Sequence, residues 1–347
     1  MAKIDVLLNM TIQHGASDLH VSAGDPPMLR IDGRLQRVKY HDLTPEETEV
    51  ILLEMLDEEQ AGLLKARMDI DFAYEMEGMA RFRANVFMER KGYAGAFRLI
   101  PTEIKTLREL MLPESIHSLA RVKNGLVLVT GPTGSGKSTT LAAMIDLINK
   151  EHNHHIITLE DPVEFIYPRG KCLIHQRQVG FHVESFSGGL RAALREDPDV
   201  ILVGEMRDLE TIHLALTGAE TGLLVLGTLH TSSAAKTVDR IIDVFPTTQQ
   251  PQIRTMLSES MRGVVAQQLL RRSGGEGRVA GVEVMICNQA IKNLIREGKT
   301  YQIFSVLQTG KAAGMQTLED HIKKFVEEGV VSQEEANLYI QKTEGAS

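Results

Sequence analysis

The chain has 347 residues, of which 43% are hydrophobic, so it is long enough for two or three domains that each bury a core. Its formal net charge of -8 argues against a nucleic-acid protein that depends on a broad basic face. No segment approaches the roughly 20 apolar residues of a membrane span, and no signal-peptide core follows Met1. The two cysteines, Cys172 and Cys287, form neither a disulfide framework nor a metal knuckle by their spacing. We therefore expect a cytoplasmic protein with more than one domain.

The first hundred residues are predicted to form a small α/β domain. Thr44 is positioned as the N-cap of a helix and Glu47 as the acidic partner of its capping box, and apolar residues then recur through Leu64. Two strands are expected afterwards, over residues 81–88 and 93–100. The next twenty residues are predicted to be a linker that contains a short helix over residues 107–112.

A glycine-rich segment fits the P-loop pattern at every fixed position. It follows the apolar run 126–129 and precedes Leu141, Ile145 and Ile148, which recur with helical spacing. In such a loop, backbone N–H groups surround the phosphates, the lysine reaches the β- and γ-oxygens, and the serine hydroxyl ligates Mg²⁺. The predicted nucleotide-binding residues are Gly131, Pro132, Thr133, Gly134, Ser135, Gly136, Lys137, Ser138 and Thr139. The segment predicts a site for ATP and Mg²⁺, whereas a glycine-rich turn without function is disfavoured by the flanking strand and helix.

Three apolar runs beyond the P-loop end in polar residues. Alternating strands and helices predict a mainly parallel sheet, with the active residues at the carboxyl ends of its strands. The runs cover residues 156–159, 200–203 and 223–227. The polar residues that follow are Glu160, Asp161 and Glu164 after the first run, Glu205 after the second and His230 after the third.

Glu205 is the leading candidate for the group that orients and deprotonates the attacking water. Glu160, Asp161 and Glu164 are expected in the metal shell or beside the water, with Asp161 and Glu205 as metal ligands, because a triphosphate would repel carboxylates that lack a metal. The alternative is that these acids are helix caps, turn residues or surface charges. His230 is expected to sense the γ-phosphate or relay a proton, and the alternative is a structural histidine.

Taken together, several segments resemble the ring-forming secretion and pilus ATPases, and in particular the type IV pilus retraction ATPases of the PilT type. Besides the P-loop they are Ala16–His20, Arg81–Asn85, an acidic box at Glu160–Glu164, an atypical Walker B segment at Gly204–Asp208, a histidine box at Gly227–Thr231 and Ala290–Glu297. Two residues depart from the family pattern. Leu223 stands where the histidine box usually has a second histidine, and Lys292 stands where we expect arginine.

The resemblance implies a domain layout and an assembly. It implies a PAS-like α/β domain over residues 1–100, a linker over 101–120, a RecA-like P-loop ATPase core over 121–287 and a C-terminal helical region over 288–347. It also implies a homohexamer in which Arg83 and Arg98 act in trans as arginine fingers. Surface salt bridges are the alternative for both arginines.

The function implied by the resemblance is ATP hydrolysis that powers pilus retraction and twitching motility. The implied partner is the platform protein of the pilus machine at the inner membrane, which Lys292, Asn293 and Arg296 could contact, together with an assembly ATPase or a retraction paralogue. The protein would sit peripherally at the inner membrane, and no nucleic acid is expected. Three alternatives stay open: an assembly or secretion ATPase, a nucleic-acid-translocating ring, and a regulatory ATP-binding paralogue.

Overall fold

The computed structural model describes residues 3–31, 33–76, 78–100, 103–275 and 277–344. Contacts divide the chain into two compact units. The first unit is Met1–Glu103 with Pro162–Ile166, and the second unit is Ile104–Asp161 with Tyr167–Ser347. Residues 101 and 102 of the predicted linker lie outside the described residues.

The described helices and strands follow one another along the chain. The helices are α1 (Lys3–Gln13), α2 (Pro45–Leu53), α3 (Glu58–Arg67), α4 (Glu114–Ala120), α5 (Lys137–Glu151), α6 (Phe186–Ala193), α7 (Leu209–Glu220), α8 (Ala234–Asp243), α9 (Gln250–Ser260), α10 (Gln289–Glu297), α11 (Ile303–Thr309), α12 (Leu318–Glu327) and α13 (Gln333–Glu344). The strands are β1 (Asp18–Val21), β2 (Met28–Ile31), β3 (Arg34–Arg37), β4 (Asp69–Met76), β5 (Ala80–Glu89), β6 (Gly92–Ile100), β7 (Gly125–Thr130), β8 (His155–Glu160), β9 (Leu173–Gln178), β10 (Val200–Val203), β11 (Leu224–Leu229), β12 (Met261–Arg271) and β13 (Arg278–Ile286).

The first unit is built on a six-stranded antiparallel sheet in the order β3-β2-β1-β6-β5-β4. Strand β5 shows why one face is buried: Phe82, Ala84 and Val86 are fully buried, whereas Arg81 and Arg83 alternate with them on the other face. This period of two is expected for a strand with one face on the core. The two strands that the sequence predicted here, β5 and β6, are confirmed.

The helix predicted from Thr44 is confirmed at its start and wrong at its end. Thr44 Oγ1 accepts a hydrogen bond from the Glu47 N–H, and the Glu47 carboxylate accepts one from the Thr44 N–H at 2.8 Å. Instead of continuing through Leu64, α2 stops at Leu53, because a second capping box formed by Asp57 and Gln60 begins α3.

The short helix predicted over residues 107–112 is also wrong. The Leu110 N–H donates to the Thr106 carbonyl oxygen, so one helical turn forms. Met111 then adopts a φ of 57°, a left-handed conformation that ends the turn. The first regular helix of the second unit is α4, two residues after the predicted helix was expected to end.

The second unit contains a seven-stranded sheet in the order β13-β12-β7-β11-β10-β8-β9. All neighbouring strands are parallel except β12 and β13, so the predicted mainly parallel sheet is confirmed. Leu126 and Leu128 of β7 belong to one core cluster, and Val127 and Val129 belong to a second. Helices cover both faces, which explains why the central strands β7, β10 and β11 are buried at every position.

The direction of the central strands determines where the site forms. Strands β7, β11, β10 and β8 are consecutive neighbours and all parallel. Their carboxyl ends therefore lie along one edge of the sheet. The P-loop, the histidine box, the Walker B segment and the acidic box each begin at this edge.

The C-terminal helices qualify the prediction made for Ala290–Glu297. Ile291 and Ile295 are fully buried, as their helical spacing predicted. Lys292 and Arg296 both form ion pairs with Glu259 of α9, with N···O distances of 3.6 Å and 2.5 Å. The charges expected to face a partner thus have an intramolecular partner in this structure. Within the described ranges, no helix has the length and apolar character needed to cross a bilayer.

Candidate nucleotide-binding and hydrolysis site

The P-loop connects β7 to α5 through glycines in left-handed conformations. Gly131, Gly134 and Gly136 have φ values of 145°, 77° and 87°. A Cβ atom on Gly131 would lie 2.3 Å from the Gln267 carbonyl oxygen, so this position cannot carry a side chain without a backbone shift. Among the predicted loop residues, Pro132, Thr133, Gly134 and Ser138 are exposed, Gly131 and Ser135 are buried, and Gly136, Lys137 and Thr139 are half-buried.

Positive charge and oriented amides coincide at this loop. Lys137 Nζ donates to the carbonyl oxygens of Gly131 and Pro132, at 2.9 Å and 3.1 Å. Helix α5, which is 15 residues long, begins at Lys137 with Gly136 as its N-cap. Because the amino end of a helix carries partial positive charge and N–H donors, the loop has the properties of an anion site.

Glu205 and His230 meet at the neighbouring strand ends. His230 Nε2 lies 3.0 Å from Glu205 Oε1, and the Arg207 guanidinium also donates to Glu205 Oε1. The hydrogen bond to Glu205 raises the pKa of Arg207. Only 18% of the Glu205 side chain is exposed. Arg207 was not predicted as a site residue. Its position in the Walker B segment, two residues after Glu205, could have indicated it.

Backbone hydrogen bonds fix the turn that carries Glu205. The Gly204 N–H donates to the Leu159 carbonyl oxygen at 2.7 Å, and the Met206 N–H donates to the Thr228 carbonyl oxygen at 3.1 Å. The Thr228 hydroxyl donates to the Gly204 carbonyl oxygen. These hydrogen bonds join the turn that carries Glu205 to the ends of β8 and β11. The backbone from which the Glu205 side chain extends is therefore held in place.

Glu160 lies at the carboxyl end of β8, beside β9. Its carboxylate accepts hydrogen bonds from Thr158 Oγ1 at 2.6 Å and from Gln176 Nε2 of β9 at 3.3 Å. Asp161 follows directly, and its charge raises the pKa of Arg207 after the larger effect of Glu205. Glu160 is the last residue of β8, Asp161 follows it, and Glu205 follows the neighbouring strand β10. These acids thus lie at strand ends, as the sequence predicted, while their catalytic roles stay predictions.

Glu164, Arg83 and Arg98 belong to the first unit. The Glu164 carbonyl oxygen accepts a hydrogen bond from Arg81 at 3.1 Å. Arg83 and Arg98 are register partners on β5 and β6. Their predicted roles as water-positioning acid and trans arginine fingers stay predictions.

Aspartates of the first unit neutralise both candidate arginine fingers. Arg98 Nε donates to Asp18 Oδ1 at 2.8 Å, and Arg83 Nε lies 3.6 Å from Asp71 Oδ1. Burial raises the pKa of Asp18, but hydrogen bonds from Ser17 and Arg98 and the nearby arginine charges outweigh burial, so the pKa is lowered. Asp18 is therefore ionised at neutral pH.

The donor set fits Mg²⁺ in chemical type. Ser138, Asp161 and Glu205 offer a hydroxyl and carboxylates, the oxygen ligands that Mg²⁺ prefers. Across the part of the chain that the structure describes, no group of three or more His, Cys, Asp or Glu side chains forms a metal cluster. Mg²⁺ usually keeps water and substrate phosphate oxygens as ligands, so a sparse protein contribution is what a nucleotide-bound Mg²⁺ requires.

Leu223, the departure in the histidine box, lies away from the site. It directly precedes β11, and its carbonyl oxygen accepts a hydrogen bond from the Gly125 N–H at the start of β7. His230 follows the other end of β11, which is roughly 20 Å away at about 3.3 Å per residue. A histidine at position 223 could not contact His230.

Comparison with known proteins agrees with this geometry. Residues 2–338 match the family described as Type II/IV secretion system protein. The chain belongs to this family. It is 51% identical to the type IV pilus retraction ATPase PilT of Pseudomonas aeruginosa over 96% of each chain. It is also 48% identical to a twitching motility protein of Neisseria gonorrhoeae, over 95% of this chain and 90% of that protein.

A solved structure within the family has the same fold. The crystal structure of the pilus retraction motor PilT with bound ADP aligns with a TM-score of 0.88 and 46% sequence identity. The alignment covers 97% of this chain and 96% of that chain. The similarity to family members therefore extends over both units and the C-terminal helices.

Proposed function

We propose that the chain is the ATP-hydrolysing subunit of a motor that retracts type IV pili and so drives twitching motility. The observation that carries this proposal is the pairing of Glu205 with His230, which follow β10 and β11, at the same edge of the sheet where β7 ends in the P-loop. The names of the similar Pseudomonas and Neisseria proteins supply the biological process.

In the proposed reaction, the P-loop amides and Lys137 bind the phosphates of ATP. Ser138 with Asp161 or Glu205 would hold Mg²⁺, which would supply positive charge against the phosphates. Glu205 accepts a proton from the attacking water, whose oxygen forms the new bond to the γ-phosphorus as the bond to ADP breaks. Arg207 and His230 orient the Glu205 carboxylate, and His230 is close enough to pass on the proton.

The proposal includes a homohexamer in which Arg83 and Arg98 complete a neighbouring subunit's site. Each arginine would exchange its aspartate, Asp71 or Asp18, for the charge on the transferring phosphoryl group. For Arg83 the exchange is energetically accessible, because the Arg83 and Asp71 side chains are 40% and 43% exposed, and exposed ion pairs contribute only about 1 kcal/mol or less. Arg98 is 65% exposed but pairs with the nearly buried Asp18, which would keep Arg30, 3.7 Å away, as its remaining cation. The platform protein of the pilus machine at the inner membrane is the proposed partner outside the ring.

The test measures steady-state ATP hydrolysis against protein concentration, with mass determination and with added single-stranded DNA. We expect turnover per subunit to rise as hexamers form and not to respond to DNA. DNA stimulation would favour a nucleic-acid motor, and stable hexamers without hydrolysis would favour a regulatory paralogue.

A cellular test separates retraction from assembly. The chain is expressed in Pseudomonas aeruginosa that lacks its own retraction ATPase, with Lys137→Ala as the inactive control. We expect the wild-type chain to restore twitching and the variant not to. The contrary outcome is that the chain restores pili in a strain without an assembly ATPase but does not restore twitching in the strain without a retraction ATPase. That outcome would contradict the proposal and favour an assembly ATPase.

A further inference from the structure

We propose that Gln267 is a positioning residue for phosphate binding: its side-chain amide orients the peptide between Ser135 and Gly136 so that the Gly136 N–H faces the nucleotide. Gln267 lies on β12, the strand beside β7, and is 2% exposed. This inference rests on the proposed ATP-binding function and adds a residue that none of the P-loop, acidic, Walker B or histidine segments contains.

Both ends of the Gln267 amide have hydrogen-bond partners. Nε2 donates to the Ser135 carbonyl oxygen at 2.7 Å, and Oε1 accepts from Thr140 Oγ1 at 2.8 Å. The Ser135 oxygen can only accept, so the amide nitrogen must face the loop. Thr140, the fourth residue of α5, keeps the amide oxygen on the opposite side.

The orientation of the Ser135 carbonyl determines the orientation of the next N–H. In a trans peptide the carbonyl and the following N–H point in opposite directions. Because the Ser135 carbonyl oxygen faces the Gln267 side chain, the Gly136 N–H points away from that side chain, toward the side where the proposal places the phosphates. A carbonyl oxygen turned toward the phosphates would instead repel them.

Two loop glycines lie directly against Gln267. A Cβ atom on Gly136 would lie 2.8 Å from Gln267 Nε2, and one on Gly131 would lie 2.3 Å from the Gln267 carbonyl oxygen. The glycines of the P-loop are thus needed partly because the loop packs on β12 at this residue. Gln267 supports the loop from the side opposite to the nucleotide.

A carboxylate cannot replace the Gln267 amide. Glutamate has the same size but cannot donate to the Ser135 carbonyl, and its charge would repel that oxygen. We expect Gln267→Glu to raise the KM for ATP and the Kd of ADP at least tenfold, while kcat at saturating Mg-ATP stays within threefold. A merely structural role would instead lower the unfolding temperature of the nucleotide-free protein.

The matched control is Gln268→Glu, the same change one residue along β12 at a half-buried position. We expect its KM and Kd to stay within twofold of wild type. Equal effects of the two variants on the KM, or an unchanged KM in a folded Gln267→Glu protein, would overturn the proposal. If the wild-type protein neither bound ADP nor hydrolysed ATP, the proposed function would be overturned instead.

A second pair of variants tests the role of Gln267 if Gln267→Glu does not fold. Thr140→Val removes the hydroxyl that holds Oε1, and Thr140→Ser keeps it. We expect a threefold to tenfold higher KM for the valine variant and a KM within twofold of wild type for the serine variant. Equal KM values for the two variants would overturn the proposal.

Discussion

The two sheets of this protein distribute their polar residues in opposite ways. In the parallel sheet of the second unit, β7, β10 and β11 are buried at every position, and the polar side chains follow the strand ends. In the antiparallel sheet of the first unit, β5 alternates buried and half-buried residues, and charged side chains lie along the strands. The polar side chains therefore lie at one edge of the parallel sheet, whereas those of the antiparallel sheet are spread over one face.

This difference indicates what each sheet can do alone. The strand-end edge brings together an anion site and a carboxylate-histidine pair within one unit, so single residues there can be indispensable. The charged face pairs its arginines with its own aspartates and offers no complete site. It needs another surface before its charges can act in a reaction.

The largest effect is expected at the strand-end edge. Glu205→Gln should lower kcat about 1,000-fold and leave ATP binding largely intact, because the amide keeps the shape but cannot take a proton. Single-turnover hydrolysis and nucleotide binding measure the two effects. Glu210→Gln is the matched control, since Glu210 is an exposed acid paired with Arg191. A Glu205→Gln protein with wild-type turnover would exclude Glu205 as the base.

The charged face should matter only in the assembled protein. Arg83→Ala and Arg98→Ala should each lower turnover about 100-fold or more in hexamers, because arginine fingers contribute roughly 10³ to 10⁵ in well-studied cases. Turnover of dilute subunits should not change. Arg37→Ala on β3, which loses only an exposed pair with Asp25, is the control. Equal losses in subunits and hexamers would contradict action in trans.

An intermediate effect is expected from a buried histidine in helix α12 of the second unit. His321 of α12 is 4% exposed, and its Nδ1 accepts a hydrogen bond from the Val282 N–H at 3.0 Å. Burial, with a smaller contribution from Lys324, lowers the pKa of His321 to about 4. The unfolded chain takes up a proton near pH 6.5 and the folded chain does not, so stability falls as the pH drops from about 6.5 to 4.

His321→Asn should therefore reduce the loss of stability in acid. The asparagine oxygen can replace Nδ1 as acceptor but does not titrate. Between pH 7.5 and pH 5 the wild type should lose about 2 kcal/mol more stability than the variant, measured by urea unfolding at both pH values. The exposed His213 supplies a control in His213→Asn. Identical pH dependence of wild type and His321→Asn would refute the assignment.

The smallest effect is expected at the opposite end of β11. Leu223→His restores the residue that the family pattern usually has there, and we expect kcat and KM to change less than twofold, because position 223 is remote from Glu205 and His230. Steady-state kinetics measure this, with His230→Gln as the positive control. A fivefold gain in turnover would show that the amino ends of the strands also take part.

The site edge was predictable from sequence because its signals are local. The P-loop has fixed spacing, and apolar runs that stop at Glu160, Glu205 and His230 identify buried parallel strands whose ends meet. The sequence did not indicate that Glu205 lies against His230, since the distance between two strand ends depends on strand order and register. It also gave no sign of the bond between Gln267 and Ser135, which are 132 residues apart.

Failures at element boundaries had different causes. The break between α2 and α3 was readable, because Asp57 and Gln60 have capping-box spacing. The assignment of Pro162–Ile166 to the first unit could not be predicted, because only Asp161 separates these residues from β8 of the second unit. Long-range packing decides such cases, and a single sequence carries no direct signal for it.

The segment Pro162–Ile166 limits how the protein can be divided into fragments. The chain passes between the two units three times, after Glu103, after Asp161 and after Ile166. A fragment that starts at Ile104 would retain Val163 and Phe165, which are only 6% and 5% exposed in the whole chain, without the residues of the first unit. Exposing such side chains costs about 1.5 to 3 kcal/mol each. The second unit expressed by itself should therefore be prone to aggregation, and no single cleavage site separates the two halves cleanly.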